Sequence, residues 1–311
     1  MKNKVFHCTR LTRALKSDLF SMEYPIFVLD GKAKNSPLKY EHNGISIEVT
    51  VKENDEGIGR ATIKDKEILM FCLTQMMNKN VFETEKMFMV SFTVYDFLKS
   101  VGRGVSGANY QQVFDGLKRL SHTYVLTNHL FNGRRNYNSF SLIDKYEVSK
   151  TLGYSTITIT LGSWLTRQAT DNPPKILTLQ PGYLKLKRPF ERRLYELCRK
   201  FCGSKKSFEI SIDNLRRRMT PDTPKKEFKR LIKAICQVQG KDKDKDKDKD
   251  KESLLFNYTL SLEDQLIKIS NNASAVVVSI KREGAASMKR ELKRLDRMVT
   301  LPYVKASKGC G

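Results

Sequence analysis

The densest chemistry in this 311-residue chain lies in Thr223–Val238, TPKKEFKRLIKAICQV. Lys225, Lys226, Lys229, Arg230 and Lys233 are spaced to fill most of one side of a helix. Phe228, Leu231, Ile232 and Ile235 fall at i, i+3, i+4 and i+7, which is the apolar stripe of that helix. Thr223 is a good N-cap, and Pro224 suits the first helical position. Lysine and arginine side chains in such a row suit neutralising an anion. A face of like charges repels itself, so the pattern points to an anionic partner.

A second set of polar side chains occupies a comparable place earlier. Ser106 is read as the cap of a helix whose apolar stripe is Tyr110, Val113, Phe114, Leu117 and Leu120. Its other side offers Asn109, Gln111, Gln112, Asp115 and Arg119. Amides pair bidentately with adenine edges and arginine with guanine, so this helix suits discrimination where the later one suits affinity. Arg103, in the turn before it, and Arg134 and Arg135, in the turn of a following hairpin, extend the basic set, as do Arg216, Arg217 and Arg218 on a short helix before Thr223.

The elements that would position these side chains recur in one order. Thr62–Asp65 reads as a capping box opening a helix that is apolar all round at Ile68–Leu73. Phe88–Phe92 is a short strand, and Thr93–Asp96 starts a short helix ending at Gly102. The long helix then leads to β segments at 123–128, 138–148 and 156–161, with Ser163 capping one more helix. After Pro173–Pro174 the order returns. A helix opens at Pro189, Phe208–Ser211 is a strand, and Ser211 caps a short helix. The cationic helix follows, and Leu254–Leu260 with Gln265–Ile269 form a hairpin. One charged helix face alone is usually no more than solvated surface; a doubled motif with polar residues at the same slot favours a binding role. The expected fold is α+β, two tandem winged-helix units, each a helix-turn-helix with a β-hairpin wing. The expected boundaries are an N-terminal arm at 1–44, units at 45–172 and 175–272, and a basic tail at 273–311. The arm is expected to be loosely attached.

Bulk charge agrees with this reading. The formal net charge is +23, and 185–233 holds 17 Lys/Arg against 6 Asp/Glu. The tail holds 9 against 3, and its residues 285–300 can form a basic amphipathic helix on Met288, Leu292, Leu295 and Met298. Such a field suits a polyanion. No long apolar run or leader pattern suggests a membrane, and the cytoplasm is the expected compartment. The run Lys241–Lys251, KDKDKDKDKDK, has no apolar residue to pack and is expected to be a loop.

Catalytic patterns are missing. Gly102-Arg103-Gly104-Val105-Ser106-Gly107 fits G-x-G-x-x-G, but a helix precedes it, and no acid follows at the distance a ribose needs. No P-loop occurs. The four histidines (His7, His42, His122, His129) form no His-x-His pair, and the six cysteines are scattered. Cys198 and Cys202 are four apart without further metal ligands nearby. We expect no enzyme, no cofactor and no metal.

The segments IKDKEILMFC, FMVSFTVYDFLKSVGRGVSGANYQQVFDGLKRL, KRPFERRLYELCRKFCG and FEISIDNLRRRMTP resemble the plasmid replication initiators of the replication initiator protein A family, across about 38–272. The resemblance implies sequence-specific binding of double-stranded DNA at origin direct repeats and local opening of the duplex. It also implies recruitment of the host initiator and replicative helicase, and homodimers that repress their own promoter. The rival expectation is a winged-helix transcriptional regulator with no part in origin opening. A third is a basic protein bound to membrane surfaces or ribosomes through its tail.

Overall fold

A computed structural model of the chain describes residues 5–11, 13–29, 36–52, 57–79, 88–129, 138–151, 153–241 and 255–272. Arg134, Arg135, the KD run after Lys241 and the tail 273–311 lie outside the described residues.

Local capping chemistry starts several of the helices. In the turn leading into α2 (Lys66–Asn78), whose N-cap is Asp65 rather than the expected Thr62, the backbone N–H of Thr62 donates to Asp65 Oδ2 at 2.7 Å and that of Asp65 donates back to Thr62 Oγ1 at 3.3 Å. Thr93 caps α3 (Val94–Ser100) and Ser106 caps α4 (Gly107–His122). Ser211 caps α7 (Ile212–Met219). The α5 helix (Ser163–Thr170) instead has Gly162 at its N-cap, one residue before the expected Ser163.

The first unit runs from α2 through strand β5 (Met89–Thr93), α3 and α4 to a hairpin of β8 (Ile143–Thr151) and β9 (Tyr154–Leu161). β5 pairs antiparallel with β9, and β9 with β8. The second unit runs from α6 (Pro189–Phe201) through β11 (Ser207–Ser211) and α7 to α8 (Lys225–Lys241). It closes with a hairpin of β12 (Tyr258–Glu263) and β13 (Leu266–Asn271). Here too the strand before the short helix pairs with the last strand, which pairs with the middle one. The order helix, strand, short helix, long helix, hairpin thus recurs, with the same pairing of strand and hairpin, although the first unit has two further strands between its long helix and its hairpin.

Two parts differ from the sequence reading. The segments β6 (Thr123–Thr127) and β7 (Asn138–Ser141) do not join the first hairpin. With β3 (Leu38–His42) and β4 (Ile45–Val51) they form a separate sheet of order β3-β4-β6-β7. The N-terminal residues are no loose arm either. β1 (Val5–His7) adds in parallel to β5, and β2 (Lys16–Asp18) pairs with β10 (Ile176–Thr178), which lies just after Pro173–Pro174. Between them, α1 (Leu19–Glu23) packs on α6. Phe20, Tyr24, Ile26 and Phe27 belong to the core of the first unit, whereas Leu15 and Met22 belong to that of the second. α2 is apolar all round for the same reason: Leu69, Phe71 and Cys72 face the first core while Met70 enters the second.

A buried ionic network crosses between the units. Lys66 Nζ lies 2.9 Å from Glu196 Oε2, each side chain 1% exposed. Glu67 on α2 pairs with Arg192 on α6 and with Arg103 at 2.7 Å. Arg193 donates from Nη1 to the carbonyls of Ser21 and Met22 at 2.8 and 3.0 Å. Buried charges persist only when paired and bonded in this way.

Candidate nucleic-acid interface

In the second unit, α7 and α8 enclose a turn closed by an arginine. Arg216 Nη1 donates to the carbonyls of Pro221 and Thr223 at 2.7 and 3.0 Å. Phe228 and Ile232 are fully buried and Ile235 nearly so, which fixes the outward side of α8. Leu231 departs from the expected stripe: it is half-buried at the flank of the helix. Lys225 bonds Asp213 at 2.7 Å, binding the start of α8 to α7 and holding the Asp213 carboxyl below its ordinary range. Lys229 donates to the Asp264 carbonyl at 2.9 Å, so the helix and the tip of its hairpin are joined. Arg230 takes both oxygens of Glu227 at 2.9 and 2.6 Å. Lys226, Lys233 and Arg217 stand exposed with no hydrogen bond or ion pair among the described residues.

The arginines of α7 do not act together. Arg217 is exposed, but Arg218 is buried, pairs with Glu23 at 2.9 Å and donates to Asn214 at 3.1 Å. Its guanidinium also lies over the rings of Tyr24, Tyr40 and Phe201. Arg218 thus belongs to the junction with α1, and Arg216 to the turn. Neither guanidinium extends the outward cationic face that the sequence suggested.

In the first unit, Gly102 at φ +69° turns the chain out of α3, and Arg103 is drawn inward to Glu67. Asn109 donates to the Gly104 carbonyl at 2.9 Å and so shapes the turn. Gln111 is exposed and donates to Asp115 at 2.8 Å, while Gln112 is exposed beside it. Arg119 is spent on protein. Its Nε and Nη2 bond the two oxygens of Asp65 at 2.7 and 2.8 Å, pushing its own pKa further up. Gly116 permits that approach, since a Cβ there would sit 2.7 Å from Asp65 Oδ1. The expectation that Arg119 faces outward to read bases is therefore corrected: a carboxylate 54 residues away in sequence holds it.

Three outward groups escaped the sequence reading. Lys118 lies seven residues after Gln111, on the same helix face, and is exposed. Lys150 on β8 sits over the Phe114 ring at 5.6 Å, linking the first hairpin to α4. Tyr154 follows Gly153 at the turn of that hairpin and is well exposed. The heptad spacing of Gln111 and Lys118 was the available signal; the other two depend on strand pairing.

The geometry offers two long helices with polar outward sides, each beside a β-hairpin. The second is far richer in cations. No helix among the described residues is long and apolar enough to cross a membrane.

The family model described as "Replication initiator protein A" matches residues 16–240. A protein of Wigglesworthia glossinidia brevipalpis named "Putative replication protein" is 32% identical over 230 residues, covering 71% of this chain and 80% of its own length. Among solved structures, a crystal structure of domains 2 and 3 of RctB aligns with a TM-score of 0.54 at 13% identity. It covers 79% of this chain and 94% of the other, a likeness of fold alone.

Proposed function

Since this chain belongs to the replication initiator protein A family, we propose that it is a non-enzymatic initiator of plasmid replication that binds double-stranded DNA through two winged-helix units. In this reading α4 and α8 enter successive major grooves of directly repeated origin sites, and the β8–β9 and β12–β13 hairpins act as wings. Lys225, Lys226, Lys229, Arg230 and Lys233 neutralise phosphates; Gln111 and Gln112 read base edges. The bound units promote local opening, and host initiator and helicase join afterwards. Homodimers and cytoplasmic, plasmid-associated placement complete the reading.

The observation that carries it is the repetition. Two units share the order helix, strand, short helix, long helix, hairpin and the pairing of strand with hairpin, and each leaves a polar long helix face outward. The cationic bias of α8 and the amide bias of α4 support a division between affinity and discrimination.

Footprinting on DNA flanking the gene tests the proposal. Phased protection of direct repeats is the expected result. Protection of one palindrome, with no opening detected by permanganate, would favour a transcriptional regulator instead. No protection at all would remove the reading. The salt response is a second check: with roughly 6–10 phosphate contacts, affinity falls about 10³–10⁵-fold between roughly 50 and 200 mM salt.

A further inference from the structure

One flank of α8 lines an open apolar groove of about 620 Å³. Leu231, Ala234, Ile235 and Val238 recur along it at i, i+3, i+4 and i+7, a stripe about two turns or roughly 10 Å long. Leu186 and Phe190, beside the start of α6, form part of the facing wall. Val238 is 48% exposed, a large apolar side chain left partly in water. The lip is cationic. Lys187 and Arg188 are exposed there, and Glu191, 3.5 Å from Arg188, is the carboxylate of the lining. Leu231 and Val238 each lie five residues after a cation of the outward face, Lys226 and Lys233. That places the groove about 140° around the helix from those cations, so both surfaces can be occupied together.

We propose that this groove is a docking site for an acidic amphipathic helix of a partner protein. An apolar floor with a cationic lip fits an apolar stripe flanked by carboxylates. Occupants from this chain fit worse. The tail has an apolar stripe at Met288, Leu292, Leu295 and Met298, but 273–311 carries nine Lys/Arg against three Asp/Glu and meets the lip with like charge. The KD run has no apolar side chain to insert. In a second copy, α8 packing on α8 would bring two cationic lips together. The other exposed large apolar residues among the described ones lie singly on α3, in a turn or on strands, so they offer no helical stripe. The inference does not depend on DNA binding.

The test uses the full chain and fluorescein-labelled synthetic peptides in anisotropy titrations at physiological salt. One peptide carries leucine at i, i+3, i+4 and i+7 with glutamate between. A second has the same composition shuffled to break the stripe, and a third is residues 285–300 of this chain. The striped acidic peptide is expected to bind at least ten-fold tighter than the shuffled one. Val238→Gln should weaken the striped peptide about three- to ten-fold, since docking buries only the half of the valine side chain still in water, and leave the shuffled one unchanged. Because Val238 is half-exposed, unchanged circular dichroism and melting temperature verify that the variant folds. Equal affinity for striped and shuffled peptides, or a preference that survives Val238→Gln, overturns the proposal. So does tighter binding of the 285–300 peptide, or self-association that Val238→Gln abolishes.

Discussion

Glu67→Gln tests whether the two units are held together by their buried charges. The Glu67 carboxylate is 1% exposed and serves Arg103 of the first unit and Arg192 of the second. The amide keeps the shape of the side chain and removes its charge, leaving two guanidiniums without a counter-ion. Breaking a buried pair costs about 3–5 kcal/mol. Arg103 is 20% exposed and can turn to water, and Arg192 keeps its bonds to the Leu186 and Leu184 carbonyls. We therefore expect a loss near the lower limit, about 3 kcal/mol. Lys145→Ala provides the yardstick: its partner Glu147 is 60% exposed and Lys145 itself 69%. Losing that solvent-screened surface pair should leave stability nearly unchanged.

Urea denaturation read by two probes makes the measurement. Trp164 is the sole tryptophan. It stacks on Phe140 and donates to the Leu142 carbonyl at 3.1 Å, so its fluorescence reports the first unit. Circular dichroism reports both. The two transitions should coincide in the parent chain and separate in Glu67→Gln, because the coupling between units has been weakened. A loss no larger than that of Lys145→Ala, with the two probes still coincident, would refute the idea that Glu67 joins the units.

Lys226→Ala with Lys233→Ala should weaken binding to all duplexes about equally. Their removal should lower the slope of log affinity against log salt by roughly 1.8, from about 0.9 per phosphate contact. Unchanged slopes from binding titrations would place these lysines away from the backbone. Gln112→Ala should cost discrimination between sites about 1–3 kcal/mol in competition assays. Arg119→Ala should instead lower the melting temperature with little change in sequence preference, since its guanidinium is bonded to Asp65. The reverse pattern would invalidate the assignment of α4's faces. Acid sensitivity should centre on Glu23. Burial opposes its charge, but Lys200 and Arg218 outweigh that and hold its pKa below the ordinary value. A depressed folded pKa contributes stability that is complete above the unfolded value of about 4.3 and is lost as pH falls through the folded one. Glu23→Gln should flatten the stability profile across that acid window. An unchanged profile would show that Glu23 is not the group responsible.

Local chemistry was the most legible part of the chain. A Thr or Ser with an acid or amide three residues on makes its own hydrogen bond, so Thr93, Ser106 and Ser211 could be read as caps without knowing the fold. Alternation likewise marks Ile45–Val51 as a strand. It does not name a partner, and β4 pairs with β6 more than seventy residues away. That is why the second sheet of the first unit went unseen. Charged residues misled in a consistent way. An arginine is assigned to solvent by default. Arg119 and Arg218 depart from that default because Asp65 and Glu23, remote in sequence, meet them in space. Lys16, Asp18 and Glu23 interrupt the apolar pattern of residues 15–28, so a segment that belongs to both cores reads as an arm.

The placement of α1 has a consequence for how the chain is made. Glu23 leaves the ribosome well before its partner Arg218, which is translated 195 positions later. At about 5–20 residues per second this is a delay of roughly 10–40 s. Through most of that interval Met22 lacks the second core it joins, and Tyr24 lacks the Arg218 guanidinium that lies over its ring. Leu15 and Met22 therefore stay uncovered while the second unit is made, and a nascent-chain chaperone that shields apolar segments would act there.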